Sequence, residues 1–343
     1  MTTKLFSLIV TVILGASSFL STFAQGTIYC ADLNQPEFEN YDLFNQDLKS
    51  KKLIILGEMH YMASNPLIQA DLFIHLNKEF GVRHLLIEFG RAEAYLYNRY
   101  LQTGSEWYLG HTSPGSSSSK EFYTSMKKLY NYNLDLDNDK KLVVHGLDFE
   151  REPGLSATLY KLLSNYTDPQ VESLRDSIYE RLDTIGIERD TKGYIHYLKG
   201  KIGDLSLPND ENKRIIDKIL NNESYFVNLS ERDKYMVKHF MELDTTQEAY
   251  LGKFGIAHTM LNAVNGFTAL LNNMEQYKSN ISVIQMYYPN SEENSPLNDL
   301  SDCPVFLFRP DTFDKKSNIY RFFHDRSQWG LVLKDQNRST KRD

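Results

Sequence analysis

The chain has 343 residues, with 38 Lys and Arg against 45 Asp and Glu for a formal net charge of −7, 41% hydrophobic residues and two cysteines. That apolar fraction over this length supplies a buried core, which excludes a wholly disordered or disulfide-built chain. The acidic balance, with no dense Lys/Arg run before the tail, excludes the basic stripe of a nucleic-acid binder.

Met1 to Lys4 is a short basic start and Leu5 to Ala16 an almost uncharged apolar run. Ser21-Thr22-Phe23-Ala24 then supplies small residues where a signal peptidase reads them. The pattern predicts a secretory signal over residues 1–24 and a secreted or periplasmic chain from residue 25. The apolar run falls short of the ~20 residues that span a bilayer, and no other run is long enough, so no stable membrane span is expected. Cys30 and Cys303 lie near opposite ends of that chain. In an oxidising compartment they form either one bridge tying the termini or two thiols.

Strand-like and helix-like segments then alternate. Lys52-Leu53-Ile54-Ile55-Leu56 is a continuous apolar run, the pattern of a strand buried on both faces. Asn65 to Phe80 has helical spacing at Leu67, Ile68, Leu72, Phe73 and Leu76, with Gly81 as its C-cap. His84 to Gly90 predicts a second buried strand, so residues 52–90 make a β-α-β unit with a right-handed crossover. A helix at about 91–102, a strand at Lys141 to Phe149, a strand at Ala249 to Ala257 and a helix running directly on through Leu270 follow. Ile281 to Tyr288, Val305 to Phe308 and Gly330 to Leu333 predict the strands that finish the sheet. The fold class is therefore α/β, a mostly parallel sheet with flanking helices. Two segments interrupt it. Residues 104–120 are a polar surface loop with four serines in a row, and residues 155–245, charged and helically periodic, are a helical insertion subdomain. A single α/β domain over residues 25–343 is expected to carry both, and the tail from Lys334 is expected to be solvated.

Ligands of parallel α/β sheets bind beyond the carboxyl ends of the strands. Each predicted core strand ends there in an ionisable residue: Glu58 and His60 after the first, Glu88 after the second, Asp148 after the third and His258 after the fourth. Taken singly each has a plain structural role. Glu58 suits a helix N-terminus, His60 a turn, Glu88 an ion pair with Arg91, Asp148 a turn before Pro153-Gly154, and His258 a helix cap. Together they predict one site, because buried strands seldom end in charges that lack partners. Glu58 and His60 are two apart and project to one side of extended backbone. A carboxylate beside an imidazole either orients a histidine that activates water or supplies metal ligands. No G-x-S-x-G, H-E-x-x-H, phosphate-cradling glycine loop or C-x-x-C occurs, so serine-esterase, zincin, nucleotide-binding and thioredoxin-like chemistries fall away.

Leu56-Gly57-Glu58-Met59-His60, Leu85-Leu86-Ile87-Glu88, Gly146-Leu147-Asp148 and Gly255-Ile256-Ala257-His258, in that order, resemble the superfamily of erythromycin esterases, ChaN-type haem-uptake lipoproteins and Tiki-type metalloproteases. Glu88 to Tyr100 most resembles the erythromycin esterase branch. The single residue between Glu58 and His60 is nearer the spacing of the other two. The resemblance implies a hydrolytic site in which His60 is the base, Glu58 and Glu88 position water, and His258 completes the cluster by stabilising an oxyanion or protonating a leaving group. Arg91 and Asp148 support it. A metal-dependent version makes Glu58, His60 and His258 ligands of one divalent ion. The substrate is a small molecule or peptide with an ester- or amide-like bond, and haem or another flat hydrophobic ligand in the same cleft is the alternative.

Overall fold

The structure is a computed structural model that describes residues 26–31, 38–112, 119–182, 191–222, 229–244, 248–289 and 297–334. The expected signal over residues 1–24 lies outside them. Among the described residues eight strands share one sheet: β1 (Thr27–Ala31), β2 (Leu53–Glu58), β3 (His84–Ile87), β4 (Val143–Gly146), β5 (Tyr250–Gly255), β6 (Ile281–Tyr287), β7 (Val305–Arg309) and β8 (Trp329–Leu333). Their order is β1-β7-β8-β6-β2-β5-β3-β4. The six from β8 to β4 are parallel, while β7 and β1 close one edge antiparallel. The fold is α/β with a mostly parallel sheet, as the sequence predicts.

The continuous apolar runs are explained by the two faces. Alternate residues of one strand enter different cores: Ile54 and Leu56 join Leu251, Leu85, Ile87 and Val144 against the Ser64–Phe80 and Lys120–Leu134 helices. Leu53 and Ile55 join Tyr250 and Phe254 against Met236, Val237 and Phe240 of the Leu229–Leu243 helix. Gly81, at φ 71°, ends the Ser64–Phe80 helix in the left-handed conformation that glycine adopts at no steric cost. At the other edge, Asn98 stands in for a further strand. Its Nδ2 donates to Val144 O and its Oδ1 accepts from Val144 N, both at 2.8 Å, so part of the outer backbone of β4 is satisfied.

Among the described residues between β4 and β5 lie five helices: Gly154–Leu163, Pro169–Leu182, Thr191–Gly203, Glu211–Leu220 and Leu229–Leu243. The first four share an apolar cluster of their own, built on Leu159, Leu162, Ile178, Leu198, Ile216 and Ile219. The fifth packs on the sheet, so the insertion returns to the core before β5 begins.

Four details differ from the sequence expectations. A short edge strand, β1, precedes the first strand read from hydropathy. A five-residue helix, Glu106–Gly110, stands in the segment expected to be loop. A helix not expected from the sequence, Lys120–Leu134, packs Met126 and Leu129 in one core with Leu85 and Ile87 of β3 and Val144 of β4. The helix after β5 is two pieces, Ile256–Thr259 and Phe267–Asn272, each started by a glycine. Of the two states open to the cysteines, the structure has the bridge: Cys30 in β1 is bonded to Cys303 just before β7, with their Cα atoms 5.7 Å apart. No helix among the described residues is long and apolar enough to cross a membrane.

Candidate active site

The carboxyl ends of β2, β3 and β5 lie side by side, with Glu58 in register with Gly255 and Ile87 in register with Lys253. Glu58, the last residue of β2, is buried, and its Oε1 accepts from Lys253 Nζ at 2.9 Å and lies 3.1 Å from His60 Nδ1. Its Oε2 is buried without a hydrogen-bond partner, which marks a position for a ligand or water. His60 itself is 48% exposed. With Nδ1–H directed at Glu58, the Nε2 lone pair faces Glu88 Oε2 across 3.8 Å.

The turn that presents His60 is held from two sides. Asn65 Nδ2 donates to Met59 O at 2.7 Å, and Tyr288 Oη donates to Asn65 Oδ1. Tyr61 sits at φ 69°, a left-handed backbone that costs a non-glycine residue energy and collects at functional sites. Gly255 leaves the ring its space, because a Cβ there would stand 2.7 Å from His60 Nε2.

Glu88 is the hub. Oε2 accepts from Gly255 N at 2.7 Å, and Oε1 accepts from Arg232 Nη2 at 2.5 Å and lies 3.4 Å from His258 Nε2. Burial alone would raise its pKa, but His258, Arg232 and the Gly255 N–H hold the carboxylate well below the usual range. Arg232 also grips buried Asp148, Nε to Oδ1 at 3.0 Å and Nη2 to Oδ2 at 2.5 Å. Burial opposes the guanidinium charge, and Asp148 and Glu88 more than compensate, raising its pKa further. His258 Nδ1 meets Asp233 Oδ1 at 2.6 Å, while Arg232 Nη1 lies 3.1 Å from Nε2. Asp233 Oδ1 also accepts from Phe267 N at the start of a helix. Burial would lower the His258 pKa, but the Asp233 and Glu88 carboxylates raise it to about 9.

Arg151 donates to Asp148 Oδ2 at 2.9 Å and lies over the Phe89 and Phe149 rings. With Lys253 it lines a cavity that opens beside His60 and Glu88 and continues between the sheet and the covering helices.

No family model and no curated protein matches the chain. Solved structures do, over nearly the whole length. A Bacillus cereus protein superposes with a TM-score of 0.61 at 12% identity, covering 95% of this chain and 98% of its own. A succinoglycan biosynthesis protein gives 0.65 at 14% identity, over 94% and 96%. A histidine-to-asparagine mutant of the erythromycin esterase EreC in its open conformation gives 0.58 at 12% identity, over 92% and 99%. The chain has the erythromycin esterase fold. At these identities the likeness is one of fold.

In this fold Glu58, His60, Glu88 and His258 lie together, and Asp148 is joined to Glu88 through Arg232. Three expectations need correction. Arg91 is not in the site: its backbone N–H binds Glu150, and its guanidinium pairs with Glu242 at 3.0 Å and Lys218 O at 2.9 Å. His258 does not face the cavity, being buried behind Glu88, so it holds that carboxylate instead of meeting an oxyanion. The divalent-ion set Glu58, His60 and His258 is not assembled, and no group of three metal-ligating side chains occurs among the described residues. Both His258 nitrogens are engaged, and Lys253 and Arg232 already bring positive charge to the carboxylates a metal would need.

Arg232 and Asp233 escaped sequence reasoning because they sit on a charged, amphipathic helix of the insertion, where nothing distinguishes them from solvated residues. Lys253 did leave a signal, a lone charge inside the buried run Tyr250-Leu251-Gly252-Lys253-Phe254.

Proposed function

We propose that the protein is a hydrolase in which His60 activates water against an ester- or amide-like bond. The observation that carries this is His60 itself, with Nδ1 tied to Glu58 and Nε2 exposed 3.8 Å from Glu88 Oε2. One water bridges such a gap, donating one proton toward Nε2 and the other toward the carboxylate. As its oxygen bonds to the carbonyl carbon, Nε2 takes the first proton and the carbonyl electron pair moves to oxygen. Arg151 and Lys253, the cations lining the cavity, stabilise that charge. Collapse of the tetrahedral species breaks the bond to the leaving group, and Nε2–H returns its proton to the departing oxygen or nitrogen. Arg232 and His258 act one step back, keeping Glu88 ionised and fixed.

The fold shared with an erythromycin esterase agrees with this reading. Export, and so a secreted or periplasmic location, belongs to the same proposal, supported by the signal-like N-terminal sequence and by a disulfide of the kind that persists outside the cytosol. Hydrolysis of a 4-nitrophenyl ester should fall about 10³-fold in His60→Ala protein; full activity in that variant sinks the mechanism. A cavity of about 100 Å³ does not enclose a porphyrin, so haemin should give no Soret shift that depends on His60. A shift abolished by His60→Ala would favour ligand binding over hydrolysis.

A further inference from the structure

Resting on the hydrolase reading, we propose that the cavity inward of His60 is an acyl subsite for a small apolar acid group, a short chain or an aromatic ring. Its polar end is Glu58, His60, Glu88, Arg151 and Lys253. Its inner wall is Leu85 and Ile87 of β3, Val144 of β4, and Tyr97, Phe122 and Met126 of the covering helices. Leu85 lies three residues before Glu88, so the wall runs about 10 Å inward along the strand. The Tyr97 hydroxyl donates to Glu93 Oε1 at 3.3 Å. Carbonyl oxygen and carboxylate product suit the two cations at the polar end, and the group attached to that carbon is then the one directed inward. The leaving alcohol or amine lies on the open side, where His60 meets solvent.

Size narrows the class. The cavity holds about 100 Å³, against the roughly 150 Å³ of an apolar protein cavity that takes benzene. Smaller than that but open at one end, it accommodates an acyl group of about four to six carbons, or a phenyl ring that extends into the opening. A long acyl chain is excluded.

The test is kcat/KM for 4-nitrophenyl acetate, butyrate, hexanoate, decanoate and benzoate. Each buried methylene contributes about fourfold, so butyrate should exceed acetate by roughly tenfold or more, benzoate should match butyrate, and decanoate should fall below hexanoate. Met126→Trp fills the pocket and should lower the butyrate-to-acetate and benzoate-to-acetate ratios at least tenfold. Met126→Ala should move the optimum to longer chains, and it decides the matter if the tryptophan variant does not fold. A flat profile, or ratios unmoved by both variants, overturns the subsite while the hydrolase reading stands. Failure to cleave any ester overturns the hydrolase reading, and the pocket is then judged by ligand-detected NMR. Benzoate binding that Met126→Trp abolishes supports it, and absence of benzoate binding refutes it.

Discussion

Gly255→Ala tests the role of His60 without removing a polar group. Gly255 has φ −58° and ψ 145°, a conformation alanine adopts without strain. Its Cβ would stand 2.7 Å from His60 Nε2 and 3.4 Å from Glu88 Oε2. Non-bonded heavy atoms settle at about 3.5 Å, so the imidazole must retreat by roughly 0.8 Å. Being half exposed, the ring can swing outward, which stretches its contact with Glu58 and moves Nε2 from the water. A misplacement near 1 Å costs about 10²-fold in rate. Stability should barely change: losing a flexible glycine from the unfolded chain contributes about 0.4–1 kcal/mol, offset by the weaker helix start that alanine makes. Ester hydrolysis and thermal unfolding of the variant give both readouts. Activity within threefold of the parent at an unchanged Tm would refute the placement of the active water, and a collapse of Tm would refute the claim that alanine is accommodated.

Three further outcomes are expected. His258 has a folded-state pKa of about 9 against an ordinary 6.5. Its contribution, about 3 kcal/mol, is therefore full below pH 6.5 and lost as pH rises through 9. Glu88, held low, acts in the opposite sense and loses its contribution as pH falls below 4.5. Urea denaturation of His258→Asn protein should show the alkaline limb flattened, and an unchanged slope would contradict the assignment. Arg232→Met leaves buried Asp148 with Arg151 and buried Glu88 with His258 and the Gly255 N–H, each short of its shared cation, and should lower unfolding free energy by about 3 kcal/mol; a change under 1 kcal/mol in urea melts would mean that the cluster relaxes. Replacing Cys30 and Cys303 together by serine should cost about 2–5 kcal/mol yet leave the turnover of folded protein unchanged, because the bridge binds the β1–β7 edge. Loss of turnover by the folded double variant would link that edge to the site.

Much of this arrangement is legible from local pattern. Buried parallel strands write themselves as apolar runs, so β2, β3, β4 and β5 stand out, and whatever ionisable residue follows each run must face the same end of the sheet. That is why Glu58, Glu88, Asp148 and His258 could be grouped before any geometry was known. Arg91 was misassigned for the complementary reason: adjacency to Glu88 along the chain says nothing about direction, and the helix it opens turns its guanidinium toward Glu242. Arg232 and Asp233 approach from about 80 residues beyond Asp148, across four helices, and no periodicity encodes that return. β1 was missed because a five-residue edge strand has one neighbour and needs no long apolar run. The cavity depends on the Lys120–Leu134 helix, whose mixed composition conceals a buried face at Met126 and Leu129.

The docking of Arg232 and Asp233 from the inserted helix has a consequence for how the protein varies. Half of the electrostatic clamp on Glu88 is owned by a segment that is not part of the minimal sheet. An insertion that is shortened, exchanged or only partly folded would take Arg232 away from Glu88 and Asp233 away from His258, leaving Glu88 held by the Gly255 N–H and His258 alone. Folding of the insertion is thus coupled to the fixing of Glu88 and His258. A graft of this sheet and its strand-end cluster into another scaffold must carry that Arg-Asp pair with it.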